Sequence, residues 1–126
     1  MSEKLNQLKQ ILGEISDLNH AASVLGWDEQ VNMPPGGSEA RGQQLATLGK
    51  IVQEKFTSNE VGMLLEDLKK EYSDPQTDDG AMIRVASRDY EKAKLVPPSF
   101  VAEQAIVASK AFEAWVEAKS KSDFSI

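Results

Sequence analysis

Apolar residues return at every third or fourth position along almost the whole chain, and no segment alternates with a period of two. Leu5, Leu8, Leu12, Ile15, Leu18, Ala22 and Leu25 trace one such stripe. This spacing places side chains on one face of a helix, whereas a half-buried strand needs alternation. The fold class is therefore all-α. A first helix over residues 2–26, with Ser2 as its N-cap, would be about 35 Å long, nearly the diameter of a domain this size. Its partners must run alongside it.

Prolines, glycines and caps divide the rest. In GWDEQVNMPPGG, residues 26–37, Met33 precedes a proline and is pushed away from helical φ/ψ. The Pro-Pro-Gly-Gly turn then reverses the chain into Ser38, expected to cap a second helix over 38–55 with Leu45, Leu48, Ile51, Val52 and Phe56 inward. Trp27 at this corner is expected to bury its ring, so its truncation would cost roughly 3–5 kcal/mol, while Asp28 satisfies nearby amides. Gly42 and Gly49 lie seven apart, on one helical face. Each costs about 1 kcal/mol relative to alanine, which close approach of another backbone would offset.

Thr57 and Glu60 match a capping box opening a third helix over 59–72, with Val61, Leu64, Leu65 and Leu68 inward and Glu66 paired outward with Lys70. SDPQTDDG is a polar break. A fourth helix over 79–94 carries Met82, Ile83, Ala86, Tyr90 and Ala93. Pro98 suits the first turn of a fifth helix over 98–121, with Val101, Ala105, Ala108, Phe112, Trp115 and Ala118 on one side. The architecture expected is a bundle of about five mostly antiparallel helices, and 126 residues fit a single domain.

Composition narrows the chemistry. Net charge is −6, which argues against nucleic acid, whose phosphates demand a basic face. No apolar run reaches the roughly 18 residues that cross a bilayer. The start MSEKLNQLKQ lacks the apolar core of a signal peptide, and a cytoplasmic location is expected. With no cysteine and His20 as the one histidine, thiolate nucleophiles and ordinary zinc sites have no ligands.

Several residues are candidates for function. Asp28 and Glu29 are adjacent acids, but neighbours on a helix do not face one point, and the pair reads better as a helix-end cap. DPQTDDG has aspartates at a calcium-like spacing without the EF-hand glycine and glutamate, and reads as a solvated turn. His20 sits one position off the apolar stripe as a half-exposed helix residue. Arg84 and Arg88, one turn apart, could grip an anion; Asp79, Asp89 and Glu91 offer them simpler partners. Phe112 with Trp115 reads as core. No catalytic, cofactor-binding or metal-binding residue is assigned.

LGWDEQVNMPPGGSEARGQQLATL, residues 25–48, resembles the N-terminal signature of the carboxypeptidase Taq family of zinc metallocarboxypeptidases. The resemblance continues through IRVASRDYEKAKLVPPSFV, residues 83–101, and SKAFEAWVEAKSKSDFS, residues 109–125. It implies a part of a larger, nearly all-helical peptidase that removes C-terminal residues from peptides. It also implies that this part forms some of the wall over a substrate groove. Such enzymes hold one zinc through His-Glu-x-x-His and a downstream glutamate. This chain has no such motif, so it is expected to carry no zinc and to be inactive alone.

A rival expectation is a freestanding, non-catalytic module that acts through protein contacts. In either case Val107, Val116 and Ile11 fall off the main stripes, and self-association as a homo-oligomer, most simply a two-fold dimer, is expected to cover them.

Overall fold

The computed structural model describes residues 2–126, and among these no strand is present. Five α-helices follow one another: α1 (Glu3–Val31), α2 (Ser38–Phe56), α3 (Asn59–Glu71), α4 (Asp78–Ala93) and α5 (Pro98–Lys121). A short 3₁₀ turn, Pro35–Gly37, separates α1 from α2. None of the helices is long and apolar enough to cross a membrane.

The expected starts of α3, α4 and α5 hold to within one residue, because each is fixed by local chemistry. Pro98 takes the first turn of α5. Thr77 Oγ1 accepts from Gly80 N at 3.1 Å and opens α4, so the aspartate-rich break is a capping turn, as expected. Ser2 caps α1 through Leu5 N.

Four local expectations need correction. First, α1 does not stop near residue 26; it runs to Val31, since nothing before Met33 forbids helical dihedrals. Second, α3 is capped by Ser58, whose Oγ accepts from Val61 N. Thr57 instead closes α2 by donating to Gln53 O at 2.6 Å, so no Thr57–Glu60 box forms. Third, Ser38 is the first residue of α2 and makes no cap hydrogen bond; Gly37 holds the cap position. Fourth, Glu66 pairs with Lys69 at 3.8 Å and not with Lys70, the i,i+3 partner being as near on a helix surface as i,i+4.

The core lies at one end. Leu5 and Leu8 of α1 meet Val61, Leu64, Leu65 and Leu68 of α3 and Ile83 and Ala86 of α4. Ile11, expected off the stripe, packs against this cluster. Phe56 and Tyr90 meet edge to face, with centroids 6.2 Å apart. Ion pairs Lys4–Asp67 and Lys9–Asp79 run along its rim.

The remainder of α1 packs antiparallel to α2, and α2 in turn antiparallel to α5. That second contact is close because α2 presents glycines. A Cβ on Gly42 would lie 3.3 Å from Ser109 Cβ and 3.7 Å from Ile106 Cα, and one on Gly49 would lie 3.1 Å from a Val101 methyl. The expected backbone approach is thus made by α5. Ile51, placed inward by spacing, is exposed, because α5 crosses the glycine face and leaves it outside. Gln53 fixes the next turn by donating to the Ala93 and Val96 carbonyls at 2.7 and 2.8 Å. Ala93 O, at the end of α4, also accepts from Val96 N at 3.0 Å, so Gln53 ties both sides of this turn to α2.

Candidate functional site: the corner of α1, α2 and α5

Polar groups knit the corner where α1 turns into α2. The Arg41 guanidinium reaches back from α2: Nη2 lies 2.8 Å from Asp28 Oδ2, and Nη1 donates to Leu25 O at 2.7 Å. Arg41 Nε donates to Gln44 on its own helix. One planar group thereby satisfies a carbonyl and a carboxylate on α1 together, which the fixed fork of arginine permits. Glu29, one residue on, accepts from Ser109 Oγ at 3.2 Å and ties α1 to α5. The sequence-based expectation that the Asp28 side chain caps amides is therefore corrected: the side chain goes to Arg41, and only the backbone carbonyl accepts from amides, those of Asn32 and Met33.

Met33 folds back over the 3₁₀ turn, and a Cβ on Gly37 would meet its Cγ at 2.8 Å. Glycine at this place lets the methionine lie flat. Beside it, Met33, Pro34, Pro35, Phe112 and Val116 line a groove of about 400 Å³ whose rim carries Glu29, Glu113 and Glu117. Phe112 and Trp115 stack with centroids 6.3 Å apart, and Lys119 Nζ stands 5.0 Å from the indole centroid.

Both tryptophans depart from expectation. Trp27 is 59% exposed and Trp115 is 56% exposed. Trp27 stands in an exposed row with Val24 and Val31, while the next two residues, Asp28 and Glu29, hold the contacts to α2 and α5. Trp27→Ala should therefore cost no more than about 1 kcal/mol, within the range of exposed substitutions, and not the loss expected for a buried ring. Equal urea midpoints for variant and parent, within that margin, are the expected result.

The other candidates stay apart. His20 is exposed in mid-α1. Arg88 is held by the neighbouring Asp89 through Nε and Nη2, both at 3.1 Å, and Asp79 by Lys9, so no paired-arginine anion grip forms. A second cavity, about 490 Å³, lies between α3 and α4 beside Ser87, Tyr90 and Lys94.

Shifts in acidity do not mark a reactive group. Hydrogen bonds from Lys4, Lys55 and Lys94 hold the carboxyls of Asp67, Glu14 and Glu91 below their usual range, and bonds from Ser125 do the same for Asp123. Lys4 and Lys94 are raised by the same contacts. All these groups are exposed, and each is held more firmly in its charged form, the opposite of a group prepared to exchange protons near neutrality.

The family model described as carboxypeptidase Taq (M32) metallopeptidase matches residues 7–126. Carboxypeptidase 1 of Bacillus subtilis is 33% identical over 116 residues, covering 92% of this chain and 23% of the relative. Thermostable carboxypeptidase 1 of Pyrococcus furiosus is 37% identical over 121 residues, covering 94% and 24%. Among solved structures, the crystal structure of BsuCP matches with a TM-score of 0.91 at 31% identity, over 98% of this chain and 25% of that one. The structure of CHT matches with a TM-score of 0.69 at 36% identity, with the same coverage. The chain spans about a quarter of the length of the curated relatives it matches.

Proposed function

This chain belongs to the carboxypeptidase Taq (M32) metallopeptidase family, and from that membership we propose that it serves a zinc carboxypeptidase as its N-terminal helical portion, removal of C-terminal residues from peptides being the work of the complete enzyme. The observation that carries this reading is the backbone match to BsuCP, a TM-score of 0.91 over 98% of the chain. The residues here do not fit a zinc site: among those described, no three His, Cys, Asp or Glu side chains converge on a point that could hold a metal ion. Zinc and the groups that act on the peptide bond are therefore assigned to the portion that this chain does not match, and no catalytic step is derived for these residues. Their role is to build and stiffen a wall, with the corner of Arg41, Asp28, Glu29 and Ser109 as its brace. The cytoplasm is the proposed location.

The test is a chimera in which this chain replaces the matching quarter of the Bacillus subtilis carboxypeptidase. It should fold and release C-terminal residues from an unblocked peptide in a chelator-sensitive reaction. The chain alone, given zinc, should release none. A folded chimera without activity would reject the reading.

Alone, the chain is proposed to pair with itself. The exposed apolar side chains of α1 and α5, among them Val24, Trp27, Val31 and Val107, support this, because soluble monomers seldom leave such faces bare. A charge of −6 opposes pairing weakly where the screening length is about 8 Å. Sedimentation at several concentrations should show a dimer or higher oligomer between micromolar and millimolar. A strict monomer at the upper limit would reject pairing and favour a chain that is autonomous.

A further inference from the structure

The contacts of α5 determine which of its side chains this chain can cover. In the antiparallel register, Gly49 faces Val101 and Gly42 faces Ile106 and Ser109. Continued along both helices, that register reaches the first residue of α2, Ser38, beside Phe112 and Glu113. Trp115 and Val116 lie past the start of α2, Val116 beside the prolines of the corner and Trp115 stacked on Phe112. The Ser109–Glu29 hydrogen bond and the close fit at Gly42 fix the rotation of α5. The helix therefore cannot turn to bury them. Val116 is 45% exposed, although it faces a groove whose other wall is Met33, Pro34 and Pro35. Two prolines make that wall stiff, so an incoming side chain meets a prepared surface and orders little on arrival.

Among the described residues no side chain fills the groove. The relatives keep this helix arrangement over nearly the whole chain, yet 77% of the Bacillus subtilis enzyme lies outside the match (100% less the 23% covered). Building on the proposed function, we infer that the overhanging end of α5 and the proline corner form the seat of that remaining, catalytic portion. The seat takes an apolar side chain of that portion between Pro34, Pro35 and Val116. The acidic rim of Glu29 and Glu113 favours a basic residue flanking that anchor.

The test compares Val116→Glu with Met63→Glu. Met63 is 68% exposed on α3, remote from the groove. In the isolated chain both substitutions should leave the thermal midpoint unchanged. In the chimera Val116→Glu should lower the midpoint by several degrees while Met63→Glu leaves it in place. Indistinguishable chimeras would overturn the inference. So would a Val116→Glu that dissolves a dimer of the isolated chain and leaves the chimera unaffected, which would make a second copy the occupant. An unsubstituted chimera that folds without activity rejects the proposed function, and the midpoints still decide the groove.

If the Val116→Glu chimera does not fold, Trp27→Phe leaves Trp115 as the only tryptophan of the isolated chain, and its emission reports on the groove through the stacked ring of Phe112, which lines it. Overlapping peptides from the unmatched portion of the Bacillus subtilis enzyme are then titrated against it. At least one should shift the emission to the blue, and Val116→Glu should weaken that peptide roughly tenfold or more, as loss of a central anchor does. A scan in which none shifts the emission would overturn the inference.

Discussion

Leu68→Ala is expected to lower the stability of this chain by about 3–5 kcal/mol, the range for removing a large aliphatic side chain from a packed interior. Leu68 has no exposed surface and sits among Leu5, Leu8, Leu64, Leu65 and Ile83, in a cluster drawn from α1, α3 and α4. Its neighbours come from three helices that each have other contacts, so collapse into the space left behind is hindered. A domain of ordinary stability holds about 5–15 kcal/mol in total. The variant should thus unfold at a much lower urea concentration, with a slope close to that of the parent. Leu95→Ala, at a side chain 78% exposed, is the control and should shift nothing. Equal midpoints for the two variants would mean that the cluster at this end is not the core.

The second large effect is expected at Arg41. Arg41→Ala removes the partner of Asp28 and the donor to Leu25 O together, and the Arg41 side chain is only 15% exposed. A partly buried carboxylate left without its partner should cost about 2–3 kcal/mol, less than for a fully buried pair because Asp28 keeps some access to water, while Leu25 O, inside α1, keeps its helical bond. Arg41→Lys should recover less than half of that, since a single ammonium cannot reproduce the two-armed contact. Gln44→Ala, which loses only the bond to Arg41 Nε, is the mild comparison. Thermal or urea unfolding of the three variants gives the order. If Arg41→Ala matched Gln44→Ala, the corner would not be braced by the guanidinium.

The division between what the sequence reveals and what it hides follows the reach of each cause. The starts of α4 and α5 depend on bonds within one turn, and both were legible to within one residue, although Thr77 as the cap of α4 was not. Gly42 and Gly49 announced a close neighbour because a helix tolerates such residues only at a cost that packing offsets. Which helix would come close was not legible, nor was the pairing of Asp28 with Arg41. Those partners are thirteen residues apart across a turn whose geometry no spacing rule supplies. The one available signal was an acid and an arginine flanking the Pro-Pro-Gly-Gly turn, each within reach of the corner.

The tryptophans failed for a different reason. Apolarity records a preference for burial, and it carries no information on whether the covering surface belongs to the same chain. On α5 the stripe read from spacing included Ala108 and Trp115, whereas the face that meets α2 runs through Ile106 and Ser109. The glycines of α2 let Val101, Ile106 and Ser109 come close, a choice of face that hydrophobic periodicity does not detect.

The large side chains that are fully buried belong to α1, α3 and α4, whereas α2 and α5 meet through Gly42, Gly49 and Ser109. Apolar area withdrawn from water is therefore concentrated at one end, and the free energy of opening is unequal along the molecule. Detaching α5 exposes little of that area, while separating α3 from α1 exposes most of it. Although α5 shares the most extensive helix contact, with α2, it is expected to open at lower cost than the cluster of α1, α3 and α4. Backbone amides of α5 should become accessible through excursions that leave the α1–α3–α4 cluster closed.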